Sequence, residues 1–267
     1  MYPVLITIGN FTIRTYGVIV AIATITGIFV ALHYAKTYEG IDEDSFLNCA
    51  IWTIIGGILG SRIFWILVSP GADYYFKNPQ HILAVWEGGL SFEGAVIGGI
   101  ITAVFAARHY KLSFFKLLDS ATPAVSIGYG IGKFACFFNG CCHGIVVPEW
   151  WPHFFPFINV FTDPRSECEL LNKALYPTQL LNALGGWITF FVLFYFIRKG
   201  KPRYHGHVFV MFSFVFSVCL FLVEYIRFIP TRFLNLTPNQ WSAIGFVLFG
   251  IILDRILSKK LPIAKDA

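Results

Sequence analysis

Glu93, Lys133, Glu224 and Arg227 are ionisable residues set inside, or at the ends of, long apolar stretches of the chain. A charge at bilayer depth costs about 2.5–3.5 kcal/mol on insertion scales, so it usually faces the protein interior and marks a pathway or a site. Charged residues make up only 13% of the sequence, and these few lie in glycine-rich or aromatic stretches away from the loops. They are the first place to look for chemistry.

Three motifs carry them. In the first, Trp86-Glu87-Gly88-Gly89-Leu90-Ser91-Phe92-Glu93-Gly94 and its continuation to Gly99, dense glycine allows close helix packing and lets backbone N–H groups reach a ligand. Burial would raise the Glu93 carboxylate's pKa and suit it to general-base work, or it would be a structural carboxylate paired with an arginine such as Arg62. In the second, Gly132-Lys133-Phe134-Ala135-Cys136-Phe137-Phe138-Asn139-Gly140-Cys141-Cys142-His143-Gly144, Lys133 and Asn139 could together hold a phosphate, or Lys133 could snorkel to the interface. Cys141 and Cys142 are candidates for thiol redox work, and a disulfide within the cluster is an alternative to plain packing. A metal is not expected there, because no second Cys pair accompanies the cluster. In the third, Glu224-Tyr225-Ile226-Arg227, the i and i+3 residues share a helix face. They could clamp a phosphate or simply pair with one another. Weaker elements are Tyr16-Gly17, Gly60-Ser61-Arg62, Tyr176-Pro177-Thr178-Gln179 and Gln240-Trp241-Ser242.

The elements that must position these residues follow from hydropathy. Hydrophobic residues are 56% of the 267, above the 45–50% typical of soluble domains. The excess is arranged in runs of about 20 residues, long enough to cross the hydrocarbon core. The expected fold is an all-α membrane protein of about seven transmembrane helices, near 16–36, 46–69, 91–109, 120–138, 178–198, 207–226 and 240–257. Pro123 and the Gly128/Gly130/Gly132 series in the fourth predict close backbone approach or local unwinding. The N-terminus lacks a signal-peptide layout, so the first apolar run is expected to remain as a span.

Positive residues in the segments after the third and fifth spans (Arg108, Lys111, Lys116; Arg198, Lys199, Lys201, Arg203) and in the tail (Arg255, Lys259, Lys260, Lys265) predict a cytoplasmic C-terminus and an outer N-terminus. The net charge of +5 then reflects cytoplasmic loops, and no nucleic-acid partner is expected. The whole of 1–267 reads as one transmembrane bundle. Within it, 139–177, rich in Trp, Phe and Pro, reads as an outer-face interfacial cap or an aromatic belt.

Taken together, these motifs and their order resemble the prolipoprotein diacylglyceryl transferases across nearly the whole chain. The resemblance implies a seven-helix enzyme of the bacterial inner membrane with its active site toward the outer leaflet. Such an enzyme moves a diacylglyceryl group from phosphatidylglycerol to the lipobox cysteine thiol of a lipoprotein precursor, forming a thioether and releasing glycerol phosphate, with no cofactor. On that reading Glu93, Lys133, Glu224 and Arg227 are catalytic, and Tyr16, Arg62, Asn139, Gly144 and Gln179 bind substrate. Glu93 stands where the family commonly has histidine, Lys133 where it has arginine, Cys136 where it has asparagine and Cys141 where it has an acidic residue. Leu220 replaces an arginine and Tyr176 a histidine, whereas Tyr16, Asn139, Gly144, Glu224 and Arg227 are retained. The rival expectations are the same fold turned to another lipid or acceptor, and a lipid-binding membrane protein without catalysis.

Overall fold

The structure, a computed structural model, describes residues 3–9, 11–69, 71–84, 88–200 and 202–260. Trp86 and Glu87 of the first motif, and Lys201 and Lys265 of the charge pattern, lie outside the described residues. The described chain is mostly helical: α1 (Thr15–Tyr38), α2 (Glu43–Val68), the short α3 (Ala72–Lys77), α4 (Phe92–His109), α5 (Phe114–Asn139), α6 (Thr178–Arg198), α7 (His207–Val223) and α8 (Pro238–Lys260). Each expected span corresponds to one of the long helices. Five of them, α1, α2, α6, α7 with its continuation to Ile226, and α8, are long and apolar enough to cross a membrane. The glycine-rich α4 and α5 are not among those five.

Two features depart from expectation. Residues Val4–Ile8 (β1) and Phe11–Arg14 (β2) form an antiparallel hairpin before α1, so the chain is not purely helical. Their alternating apolar residues and Gly9, with φ +58°, are the local signal for it. The helix α5 begins at Phe114 and runs unbroken past Pro123 to Asn139. The expectation of close approach is met without unwinding, because the glycines let a neighbour's backbone and side chains come near. A Cβ on Gly186 of α6 would lie 2.9 Å from the Gly130 nitrogen and 2.9 Å from the Ser126 carbonyl oxygen.

The chain divides into two compact units, 32–120 and 1–31 with 121–267. The first is organised by α2 and α4. Asp42 caps α2 by accepting the Ser45 N–H at 2.9 Å, and Ser91 caps α4 by accepting the Gly94 N–H at 3.2 Å. The two helices meet through small residues spaced four apart, Gly56 and Gly60 on α2 and Gly94 and Gly98 on α4. A Cβ on Gly60 would sit 2.5 Å from the Gly94 carbonyl oxygen and 2.8 Å from the Gly98 Cα. No side chain fits in that space, so the backbones themselves are the packing surface.

The second unit is built on α6, α7 and α8 with α5. Residues 140–177 form no helix; their own small core is Phe161, Cys168 and Leu175, all buried. Phe161 is therefore core and not part of an aromatic belt, whereas Trp150, Phe154, Phe155 and Phe157 are exposed.

Candidate functional site

In the second unit, the chain turns out of α7 through a single 3-10 turn, Glu224–Ile226. This turn puts Glu224 fully inside the protein and leaves Arg227 largely covered, with 17% of its side chain exposed. The Glu224 carboxylate accepts from the Arg227 Nη1 at 3.4 Å and from the Asn239 Nδ2, at the start of α8, at 2.8 Å. The other Arg227 terminal nitrogen, Nη2, donates to the Cys142 Sγ at 3.2 Å. The Arg227 Nε is buried and has no hydrogen-bond partner among the described residues. A buried guanidinium N–H without a partner is uncommon and points to a ligand.

Backbone bonds and the first turn of α6 hold the opposite wall. The Gly144 N–H donates to the Tyr176 carbonyl and the Ile145 N–H to the Ile226 carbonyl, so the 141–147 loop pairs with the segment that carries Arg227. A Cβ on Gly144 would lie 2.6 Å from the Tyr176 carbonyl oxygen and 2.9 Å from that of Ile226. Gly144 thus secures the approach of two backbones. Gln179 is likewise structural: it is fully buried, donates to the Cys141 carbonyl at 2.9 Å and accepts from the Asn159 amide at 3.1 Å. With both ends of its amide engaged by protein, it positions the loop. Thr178 adds a bond to the Cys142 carbonyl at 2.8 Å. Asn139 ends α5, is buried, and accepts the Glu167 N–H on its carbonyl at 2.8 Å.

Lys133 lies on α5 with its ammonium 4.9 Å from the centroid of the Tyr129 ring, a cation–π contact. The Tyr129 hydroxyl donates to Asn182 on α6 at 3.1 Å. Lys133 is within electrostatic reach of Arg227 and Cys142, and the Tyr16 hydroxyl of Cys136, Cys141, Cys142 and Lys133. The structure therefore brings together Tyr16, Lys133, Cys141, Cys142, Glu224 and Arg227, from α1, α5, the following loop and the end of α7. Hydrogen bonds from the Cys136 and Cys141 thiols, with Lys133 and Arg227 beside it, hold the Cys142 thiol below its ordinary range.

The sequence pattern had no clear mark for Asn239 or Tyr129. The polar run Thr237-Pro238-Asn239-Gln240 before an apolar helix, and the i, i+4 spacing of Tyr129 and Lys133, are the signals that point to them.

Glu93 and Arg62 belong to the other unit. Glu93, in the first turn of α4, is exposed and accepts from the Ser91 hydroxyl at 2.6 Å. The expected burial of this carboxylate is not found, because the α4 cap turns it outward beside its own serine. Arg62 is buried, at 2% exposure, and donates to the backbone carbonyls of His81 at 2.7 Å, Ile82 at 3.1 Å and Gly88. Its guanidinium lies over Trp65 and Tyr75, with centroid distances of 5.4 and 5.2 Å. Gly88 and Gly89 adopt φ of +83° and +67°, a conformation glycine reaches without strain. Arg62 is thus a clamp on its own loop.

Comparison with known proteins identifies the family. The family model described as prolipoprotein diacylglyceryl transferase matches residues 3–255. A relative from Thermus thermophilus is 32% identical over 82% of this chain and 81% of its own length. One from Nostoc sp. is 30% identical over 99% of this chain and 94% of its own, and one from Acaryochloris marina is 28% identical over 99% and 95%. All three are named phosphatidylglycerol–prolipoprotein diacylglyceryl transferase. With the match running from the N-terminal hairpin into α8, this chain belongs to the prolipoprotein diacylglyceryl transferase family.

Proposed function

We propose that this protein is a membrane transferase that moves the diacylglyceryl group of phosphatidylglycerol to the lipobox cysteine thiol of a lipoprotein precursor. The thiol sulfur attacks the glycerol carbon that bears the phosphate, the C–O bond breaks, a thioether forms, and glycerol phosphate leaves with the electron pair. Such a reaction needs cations where negative charge gathers on the departing phosphate and a group to take the thiol proton.

The observation that carries this reading is the Arg227 guanidinium. It is held by buried Glu224, faces Cys142, and has an Nε with no partner among the described residues. Glu224 and Asn239 fix its plane, and Lys133 adds a second positive charge nearby. In this reading Arg227 and Lys133 hold the headgroup phosphate, and Tyr16 and Asn139 hydrogen-bond the substrate. Glu93, the sequence's candidate for taking the thiol proton, is exposed in the first turn of α4.

On this reading the chain lies in the bacterial inner membrane, with the N-terminus outside, the C-terminus cytoplasmic and the site toward the outer leaflet. Residues 139–177 cap that face, and the exposed Trp150, Phe154 and Phe155 suit the headgroup layer.

Transfer of labelled diacylglyceryl from phosphatidylglycerol to a lipobox peptide by the purified protein tests the reading. Thioether product with release of glycerol phosphate is expected, and intact bound lipid with no product after long incubation refutes it. Unchanged turnover in Glu93→Gln removes Glu93 from the base role alone.

A further inference from the structure

The second unit also holds a cysteine cluster beside Arg227, to which the transferase reading gives no chemical step. The Sγ atoms of Cys136, Cys141 and Cys142 all lie within 4.8 Å of one another, and all three thiols are free. Cys136 comes from the last turns of α5, and the other two from the loop that follows. Spacing alone argued against a metal, since a single tight cluster lacks a second pair. The fold supplies what spacing cannot, by folding the loop back over the helix end.

We propose that Cys136, Cys141 and Cys142 form a binding site for a soft, thiophilic metal ion such as Zn²⁺. Thiolates bound to zinc at about 2.3 Å in tetrahedral geometry stand roughly 3.8 Å apart. Sulfurs already inside 4.8 Å reach that spacing by small side-chain rotations. The donor set is all sulfur, which selects soft and borderline ions over Mg²⁺ or Ca²⁺.

The loop is built to hold the thiols in place. Gln179 bonds the Cys141 carbonyl and Thr178 the Cys142 carbonyl. Cys142 has φ +58°, an uncommon conformation for a residue with a side chain, and the flanking bonds maintain it. Arg227 and Lys133 offset the negative charge of three thiolates around a divalent ion.

A disulfide fits less well. Closure between the adjacent Cys141 and Cys142 strains the bond. His143 does not complete the set: its ring nitrogens are not among the ligand atoms that converge there, and its ring stacks on Phe228. The fourth position on the ion is thus left for water or an exchangeable thiol, as in zinc sites with three protein ligands. Binding releases the thiol protons to solvent, up to one per cysteine, so affinity rises with pH.

The test is independent of transfer activity. The reduced full-length protein in detergent is titrated with Cd²⁺, following the ultraviolet sulfur-to-cadmium charge-transfer band, and Zn²⁺ is then added as competitor. One ion per chain is expected, displaced by Zn²⁺. Outer-shell substitutions at metal sites already cost 10–100-fold in affinity, so Cys141→Ser and Cys142→Ser must each weaken binding by more than about tenfold. Cys219→Ser should leave it unchanged. Absence of the band in the wild type, or its persistence in the triple serine variant, overturns the proposal. If the serine variants fail to fold, alkylation of the wild type read by mass spectrometry decides: Zn²⁺ should protect Cys136, Cys141 and Cys142 but not Cys219, and equal labelling with and without Zn²⁺ refutes the site.

Discussion

Two buried arginines show how the same side chain serves different ends in the two units. Arg62 faces main-chain carbonyls, those of His81, Ile82 and Gly88, and is flanked by Trp65 and Tyr75. Arg227 faces a buried carboxylate and a thiol, and its Nε has no partner among the described residues. Carbonyls engaged by a guanidinium fix a loop and leave no vacancy for an anion. A carboxylate that grips one edge orients the plane and presents the remaining N–H groups elsewhere. Burial of a charge is therefore no guide to its role; what its donors face is.

The largest effect that would break the contrast is at Arg227. Arg227→Lys keeps the charge beside Glu224 but loses the planar fork, and transfer from phosphatidylglycerol should fall by about 100-fold, the size expected for one lost transition-state donor. Thermal unfolding in detergent should change little. Arg62→Leu should do the reverse: stranding buried carbonyls costs about 3 kcal/mol, read as a lower Tm, with turnover per folded molecule kept. Lost turnover at unchanged Tm would place Arg62 in the site after all. Asn239→Ala sharpens the comparison by removing one bond to Glu224, and a loss of about tenfold in kcat with little change in KM is expected from one charge-assisted hydrogen bond.

The smallest effect lies in the unit of Arg62, just past α1. Burial raises the Glu39 carboxyl to about 7, opposed by Lys116. Its native form holds a proton that the unfolded chain releases near 4.5, so stability falls as pH rises from about 4.5 to 7. Glu39→Gln should remove this slope and stabilise the protein at pH 8 by about 1 kcal/mol after solvent screening. Unfolding midpoints at pH 5 and pH 8 measure it.

Much of the scaffold was legible because lipid imposes a simple rule. A run of about 20 apolar residues must form a helix to satisfy its backbone, and each expected span has its helix. The glycines at 88–99 announced close packing, and Gly94 and Gly98 provide it against Gly56 and Gly60. The start of α5 and the N-terminal hairpin were misjudged, since polar Lys116 and Asp119 obscured the one and the short alternation before Gly9 the other. In the candidate site, Glu224 and Arg227 were readable from i, i+3 spacing, and Lys133 from being a cation in an apolar helix. The roles of Gly144, Gln179 and Arg62 were not, because each is decided by carbonyls brought in from elsewhere in the chain.

The sequence by itself determined which segments are helical, which charges are rare enough to matter, and which family the motifs resemble. These rest on hydropathy and local spacing, which every stretch of chain carries within itself. Only the tertiary structure decided that Arg62 grips its own loop, that Arg227 keeps an N–H with no partner among the described residues, and that three cysteine sulfurs converge. A hydrogen-bond donor's partner is set by what folds against it, and that depends on distances between residues far apart in the chain.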